Sequence, residues 1–165
     1  MQRRWLRGLV LVVGLSFIAG GWLWSQQPKL PASVRAKVNF TVFNPSRRAG
    51  VTVVPGGYHY DDQTSSLSTT TVTTTGSAKI IMSQQATPPT FAEAPQLYTE
   101  FVDKLGRFAV FKAPYGQVYL TRPANLVGGE AAVFNARGTL LIARSDTILN
   151  QAQWEQLFIN LEIVR

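Results

Sequence analysis

The sequence predicts an antiparallel α+β domain held to a membrane by one N-terminal helix. Three observations predict it. An uncharged apolar run covers residues 8–24 behind three arginines. Short β-branched and aromatic runs punctuated by Gly and Pro recur between residues 38 and 144. Helical patterns interrupt or follow them at residues 95–105 and from residue 151 onward. Strands in runs broken by two helices argue for an antiparallel sheet rather than for parallel βαβ units.

Residues 1–7 read as a basic cytoplasmic tail and residues 8–24 as the transmembrane anchor. At about 1.5 Å per residue, the run reaches roughly 25 Å, just short of a hydrocarbon core of about 30 Å. Trp5, Trp22 and Trp24 sit at its two ends, where indoles favour the lipid–water interface. Arg3, Arg4 and Arg7 precede it, which puts the N-terminus in the cytoplasm and everything after Trp24 outside. The expected partner of residues 8–24 is thus the lipid bilayer, and the location a cell membrane crossed once. A cleaved signal peptide competes, with Ala19-Gly20-Gly21 as the cleavage site. Trp22-Leu23-Trp24 carry the apolar run past that site and favour the uncleaved anchor. A type IV pilin-like start would place a glutamate near the beginning of the helix, and none stands there.

The chain has 165 residues, 45% of them apolar, enough for one compact domain and not for two. It has no cysteine, which excludes a disulfide, a thiolate zinc site, a Cys nucleophile and a lipidated Cys anchor. Net charge is +7, but residues 29–165 carry thirteen basic and nine acidic side chains, scattered, with Arg47-Arg48 the one adjacent basic pair. Nucleic-acid binding shows a basic stripe interleaved with aromatics. None occurs, and no nucleic-acid partner is expected. A mildly basic outer face suits an anionic membrane.

Residues 25–37 read as a spacer, stiffened by Pro28 and Pro31, and residues 38–165 as the extracytoplasmic domain. Val38 to Phe43 alternates, with Val38, Phe40 and Val42 on one face. Val51 to Val54 is a short strand closed by a turn at Pro55-Gly56-Gly57, and Tyr58 to Asp61 follows as another. Residues 64–77 are Ser or Thr at eleven of fourteen positions. Seven are threonines, which favour a solvated strand over a flexible linker. Lys79 to Gln85 pairs back on it across Gly76-Ser77. Leu97, Phe101, Val102 and Leu105 share a helical face, with Pro95 suited to the first turn and Gly106 to the stop. Strands follow at residues 108–112, 117–121 and 131–135, and Gly128-Gly129 reads as a turn. Asn135-Ala136-Arg137-Gly138 is a hairpin turn into residues 139–144. In the last helix Asn150 is the N-cap, Gln153 completes a capping box and Leu149 staples onto Trp154. Trp154, Leu157, Phe158 and Leu161 form its core stripe.

Chemistry is scarce. No Gly-x-Ser-x-Gly elbow and no phosphate-binding Gly-rich loop occur. The single histidine is His59, in Gly56-Gly57-Tyr58-His59-Tyr60-Asp61-Asp62. On a strand Asp61 and Asp62 point to opposite faces, whereas His59 and Asp61 share one, about 7 Å apart. Two ligands do not make a metal site, and the spaced carboxylates of a calcium loop are missing. His59 is expected to be a partly exposed strand residue beside packing tyrosines. Asn39-Phe40-Thr41 fits a glycosylation sequon inside a strand, a weak signal. No catalytic, cofactor-binding or metal-binding residue is assigned, and no cofactor.

Several stretches carry a resemblance: residues 30–46, ending in Phe40-x-x-x-x-Pro45-Ser46; Pro55-Gly56-Gly57-Tyr58; and Tyr115-Gly116-x-x-Tyr119. In these the chain resembles small membrane-anchored proteins of Saccharibacteria-type bacteria. It is also similar to a domain of unknown function found with Gram-positive sigma-factor regulators. Val54 departs from the leucine usual before the Pro-Gly element. The resemblance implies an outer-face α+β domain whose sheet curves against two helices, and no catalytic residue.

The expected function is a non-catalytic binding or sensing domain for an envelope protein, a cell-wall component or a lipid. Two alternatives stand beside it. One is a structural subunit of an envelope membrane complex, packing through Gly14, Ala19 and Gly20 of the anchor. The other is a hydrolase using His59.

Overall fold

Alternation of buried and more exposed side chains, the signature of strands, runs through residues 66–73 and 79–86, whereas residues 130–134 are buried on both faces. The computed structural model describes residues 29–124 and 129–164. The basic tail, the anchor, residues 25–28 of the spacer and Gly128 lie outside the described residues. Among the described residues no helix is long and apolar enough to cross a membrane. The order is α1 (Ala32–Arg35), β1 (Val42–Pro45), β2 (Val51–Asp61), β3 (Ser66–Thr73), β4 (Lys79–Ala86), α2 (Pro89–Glu93) and α3 (Pro95–Lys104). Then come β5 (Arg107–Ala113), β6 (Gly116–Thr121), β7 (Glu130–Ala136), β8 (Thr139–Ser145), α4 (Gln151–Ile159) and β9 (Leu161–Val164).

Seven strands form one sheet in the order β2-β3-β4-β8-β7-β6-β5, every neighbouring pair antiparallel. Two meanders therefore meet edge to edge where β4 pairs with β8. The α2–α3 segment carries the chain from β4, mid-sheet, to the far edge at β5. β1 and β9 pair separately as a two-stranded antiparallel ribbon, Val42 opposite Val164 and Pro45 opposite Leu161.

The expected α+β class is overturned. Strands hold 47% of the described residues and helices 21%, so the domain is mainly β. Helices still pack on the sheet, α4 on one face and α2 with α3 on the other, but α3 fully buries only one side chain, Val102. Two local features explain the misreading. Pro55-Gly56-Gly57 does not end a strand: β2 runs through it as a bulge. Val53 lies opposite Thr71 and Tyr58 opposite Thr69, so residues 54–57 bow out against Thr70 alone. Pro55 has no N–H to give, which an edge strand tolerates. Gly56 takes φ 69°. A Cβ on Gly57 would sit 2.8 Å from the carbonyl oxygens of Thr70 and Val54. The second feature is the C-terminus, where α4 stops at Ile159 and Leu161, expected on the helix, begins β9.

One face of the sheet carries the main core. Met82, Phe134, Leu141 and Leu120 pack there with Trp154, Leu157 and Phe158 of α4. Phe134 meets Phe43 and Phe158 edge-on, with centroids 5.3 and 5.7 Å apart. Each large side chain so buried stabilises the fold by about 1.5–3 kcal/mol. The Asn150–Gln153 capping box is present, both reciprocal bonds 2.9 Å long. The Thr-rich stretch is β3, but only one of its faces is solvated: Thr69, Thr71 and Thr73 point into the core side. Thr71 Oγ1 donates to the Ile80 carbonyl at 3.1 Å. On the opposite face α2 and α3 cover Val133 and Leu140 with Phe91, Tyr98, Phe101 and Val102. Leu97, expected in that stripe, is 40% exposed, and Tyr98 packs in its place.

Candidate functional site

The ribbon is fixed to the sheet by side chains rather than by a ladder. Gln84, buried on β4, accepts from the Phe43 N–H at 2.8 Å and donates to the Phe43 carbonyl at 2.9 Å. Its amide thus stands in for a third strand beside β1. The Tyr58 hydroxyl donates to Asn44 Oδ1 at 2.8 Å, and Thr139 Oγ1 to the Thr41 carbonyl at 2.6 Å. Strands β2, β4 and β8 each therefore contribute to holding β1, directly or through the residue before it.

Beside this ribbon lies a cleft of about 810 Å³. Its walls come from α1 and the chain before it, the β1–β2 loop, the end of α4 and β9. Lys29, Arg35, Arg47 and Arg48 line it, with Glu162 the single carboxylate. The loop that carries Arg47 and Arg48 is anchored at both sides. The Ser46 N–H donates to the Asn160 carbonyl at 2.9 Å, and Gln156 Nε2 donates to the Arg48 carbonyl at 3.2 Å. Ala49 is buried behind it, and Gly50 takes φ 72° with the Gln156 side chain where a Cβ would go. None of these four cations has an ion-pair partner among the described residues, where Lys37, Arg107 and Arg122 are the paired ones. Four positive charges converge with one negative charge among them, and such a cleft attracts anions.

The stretch around His59 is different in kind. His59 is exposed on edge strand β2, opposite Ser68, and shares its sheet face with Asp61 as strand geometry requires. Asp61 is engaged elsewhere: Oδ1 accepts from the Gln63 N–H at 2.8 Å and Oδ2 from Thr64 Oγ1 at 2.9 Å. The Thr64 hydroxyl first, then the Gln63 amide, hold the Asp61 carboxyl below its ordinary range. Asp62 points away and pairs with Lys37 at 2.6 Å. Tyr58 and Tyr60 pack against the small cluster around Leu30, Val42 and Leu67. Asn39 of the sequon is exposed and lies just before β1, not within a strand.

No family model, no curated protein and no solved structure matches the chain. Function is read from the residues alone.

A second cleft, of about 370 Å³, opens beneath α3 between Phe101, Leu105, Pro123, Ala131, Ile142 and Arg144. It is mainly apolar. Nearby, burial pushes the Tyr98 hydroxyl well above its ordinary range, and that hydroxyl has no hydrogen-bond partner.

Sequence reasoning missed the basic cleft because its charges come from separate stretches: residue 29, residue 35, the pair 47–48 and residue 162. Only the adjacency of Arg47 and Arg48 was visible in one place. The stretch taken for spacer also takes part: Leu30 is 3% exposed, packed with Val42 and Leu67, and α1 follows it.

Proposed function

We propose that this protein is a single-pass membrane protein whose extracytoplasmic domain binds its ligand in the basic cleft beside the β1–β9 ribbon, without catalysing a reaction. The observation that carries this reading is the convergence of Lys29, Arg35, Arg47 and Arg48 on one cleft with fixed walls. The apolar run at residues 8–24, flanked by arginines and tryptophans, supplies the anchor.

Topology is the test of the anchored half. The full chain, tagged at both ends, should stay with the membrane through alkaline carbonate extraction. Protease added outside should remove the C-terminal tag and leave the N-terminal one. Release by carbonate, or a mature N-terminus at Trp22, would overturn the anchor.

A further inference from the structure

Covalent reach sets how far the cleft can stand from the bilayer. Lys29 lines the cleft and lies five residues after Trp24, the last residue of the apolar run. Fully extended, five residues span at most about 17 Å. The headgroup layer on each side of a bilayer is itself roughly 5–7 Å deep, and the screening length at physiological salt is about 8 Å. Four cations in a cleft tethered this closely are within reach of lipid phosphates. The tether enters the cleft through its own lining residue, so the cleft cannot be turned to the far side of the domain.

The charge distribution points the same way. Four of the thirteen basic side chains in residues 29–165 line this one cleft, and one of the nine acidic ones does. The loop bearing Arg47 and Arg48 is held at its backbone by Asn160 and Gln156, which leaves the guanidinium groups to meet a ligand. Arginine guanidinium groups match phosphate oxygens bidentately.

We infer that the cleft binds the phosphate of an anionic phospholipid headgroup in the same bilayer that carries the anchor. The inference rests on the anchored reading above. Bound in this way, the domain lies with α1, the β1–β2 loop and the β9 end of α4 against the membrane. The anchor then supplies proximity and the cleft supplies orientation.

The absence of cysteine makes the test simple. Ile159 lines the cleft and is 48% exposed; Ile148, 66% exposed, lies beyond the opposite end of α4. They lie at opposite ends of that helix, which is roughly 13 Å long at 1.5 Å per residue. Full-length Ile159→Cys and Ile148→Cys proteins, each carrying a dye, would be placed in nanodiscs of phosphatidylcholine alone or mixed with phosphatidylglycerol. A headgroup-nitroxide lipid serves as quencher. The inference predicts strong quenching at position 159 in the phosphatidylglycerol discs and weak quenching in phosphatidylcholine, with position 148 unquenched in both. Each cation near an anionic surface contributes about fivefold, so Arg47→Ala/Arg48→Ala should lower the docking equilibrium constant about 25-fold.

Equal quenching at position 159 in both lipids, or no change in the double variant, overturns the inference while the anchor stands. Failure of the chain to co-purify with the discs instead overturns the anchored reading itself. Inorganic phosphate is compared with chloride at the same ionic strength. If the phosphatidylglycerol discs give no added quenching while the chain binds inorganic phosphate in preference to chloride, the site takes a free phosphate and the lipid assignment is overturned.

Discussion

The two faces of the seven-stranded sheet are covered in different ways. Under α4 and the ribbon, three aromatic side chains of full size are excluded from solvent beside Phe43: Trp154, Phe134 and Phe158. Under α3, the fully buried set is Val102, Val133 and Leu140, rimmed by partly buried Phe91, Tyr98 and Phe101. The polar contacts differ as well. Trp154 Nε1 donates to the buried Glu130, which Arg122 also engages at 2.9 Å, and Gln84 satisfies both backbone groups of Phe43. Among the described residues, each face leaves one buried hydroxyl unpaired, Tyr98 on the α3 side and Thr69 on the other. The first face is a core whose cover is locked in place; the second is a lighter cover over a partly open apolar cleft. The charged cleft is built against the locked cover, where its walls hold their spacing before any ligand arrives.

Substitutions sharpen that contrast in order of size. Phe134→Ala removes a ring that touches two aromatic neighbours and should cost about 4 kcal/mol in urea unfolding. Gln84→Leu keeps most of the volume but strands the Phe43 N–H and carbonyl, at about 1–3 kcal/mol for each buried group left unpaired. Its loss should be about 3 kcal/mol, with the amides of residues 42–45 exchanging faster than the rest of the sheet. Val102→Ala, on the lighter cover, should cost about 2 kcal/mol. An α3 substitution that proved as costly as Phe134→Ala would erase the distinction between the faces.

The smallest effects belong to the His59 edge. His59→Ala should change stability by less than about 0.5 kcal/mol, as for an exposed side chain without a buried partner. It should also leave the protein's function intact, and loss of function would restore the hydrolase alternative. At Asp61 the folded-state carboxyl titrates below its ordinary value, so its contribution is present at neutral pH and fades as pH falls through the folded value. Thr64→Ala removes the hydroxyl that does most to lower it. The Asp61 titration, followed by NMR, should then move up toward an ordinary carboxylate.

Local chemistry was legible in the sequence, and long-range pairing was not. The hairpin at residues 135–138 was visible in its Asn-Ala-Arg-Gly turn chemistry, and Arg137 and Gly138 take φ 52° and 75°, as that turn requires. The α4 capping box was equally local. The β2 bulge was misread because Pro-Gly-Gly is also turn chemistry, and only pairing with Thr70 on the neighbouring strand distinguishes the two. The ribbon has no local signature at all: Val42 meets Val164 across almost the whole domain, and Gln84 reads as an ordinary polar strand residue. Because the ribbon was invisible, the cleft beside it was too.

Hydrogen exchange by the full chain in nanodiscs tests most directly whether the basic cleft, and not the apolar one, meets the ligand. Adding phosphatidylglycerol to phosphatidylcholine should slow exchange across residues 44–48 and 159–163, and leave residues 97–104 of α3 unchanged. Protection gained at α3 instead, or no protection anywhere, would contradict the account.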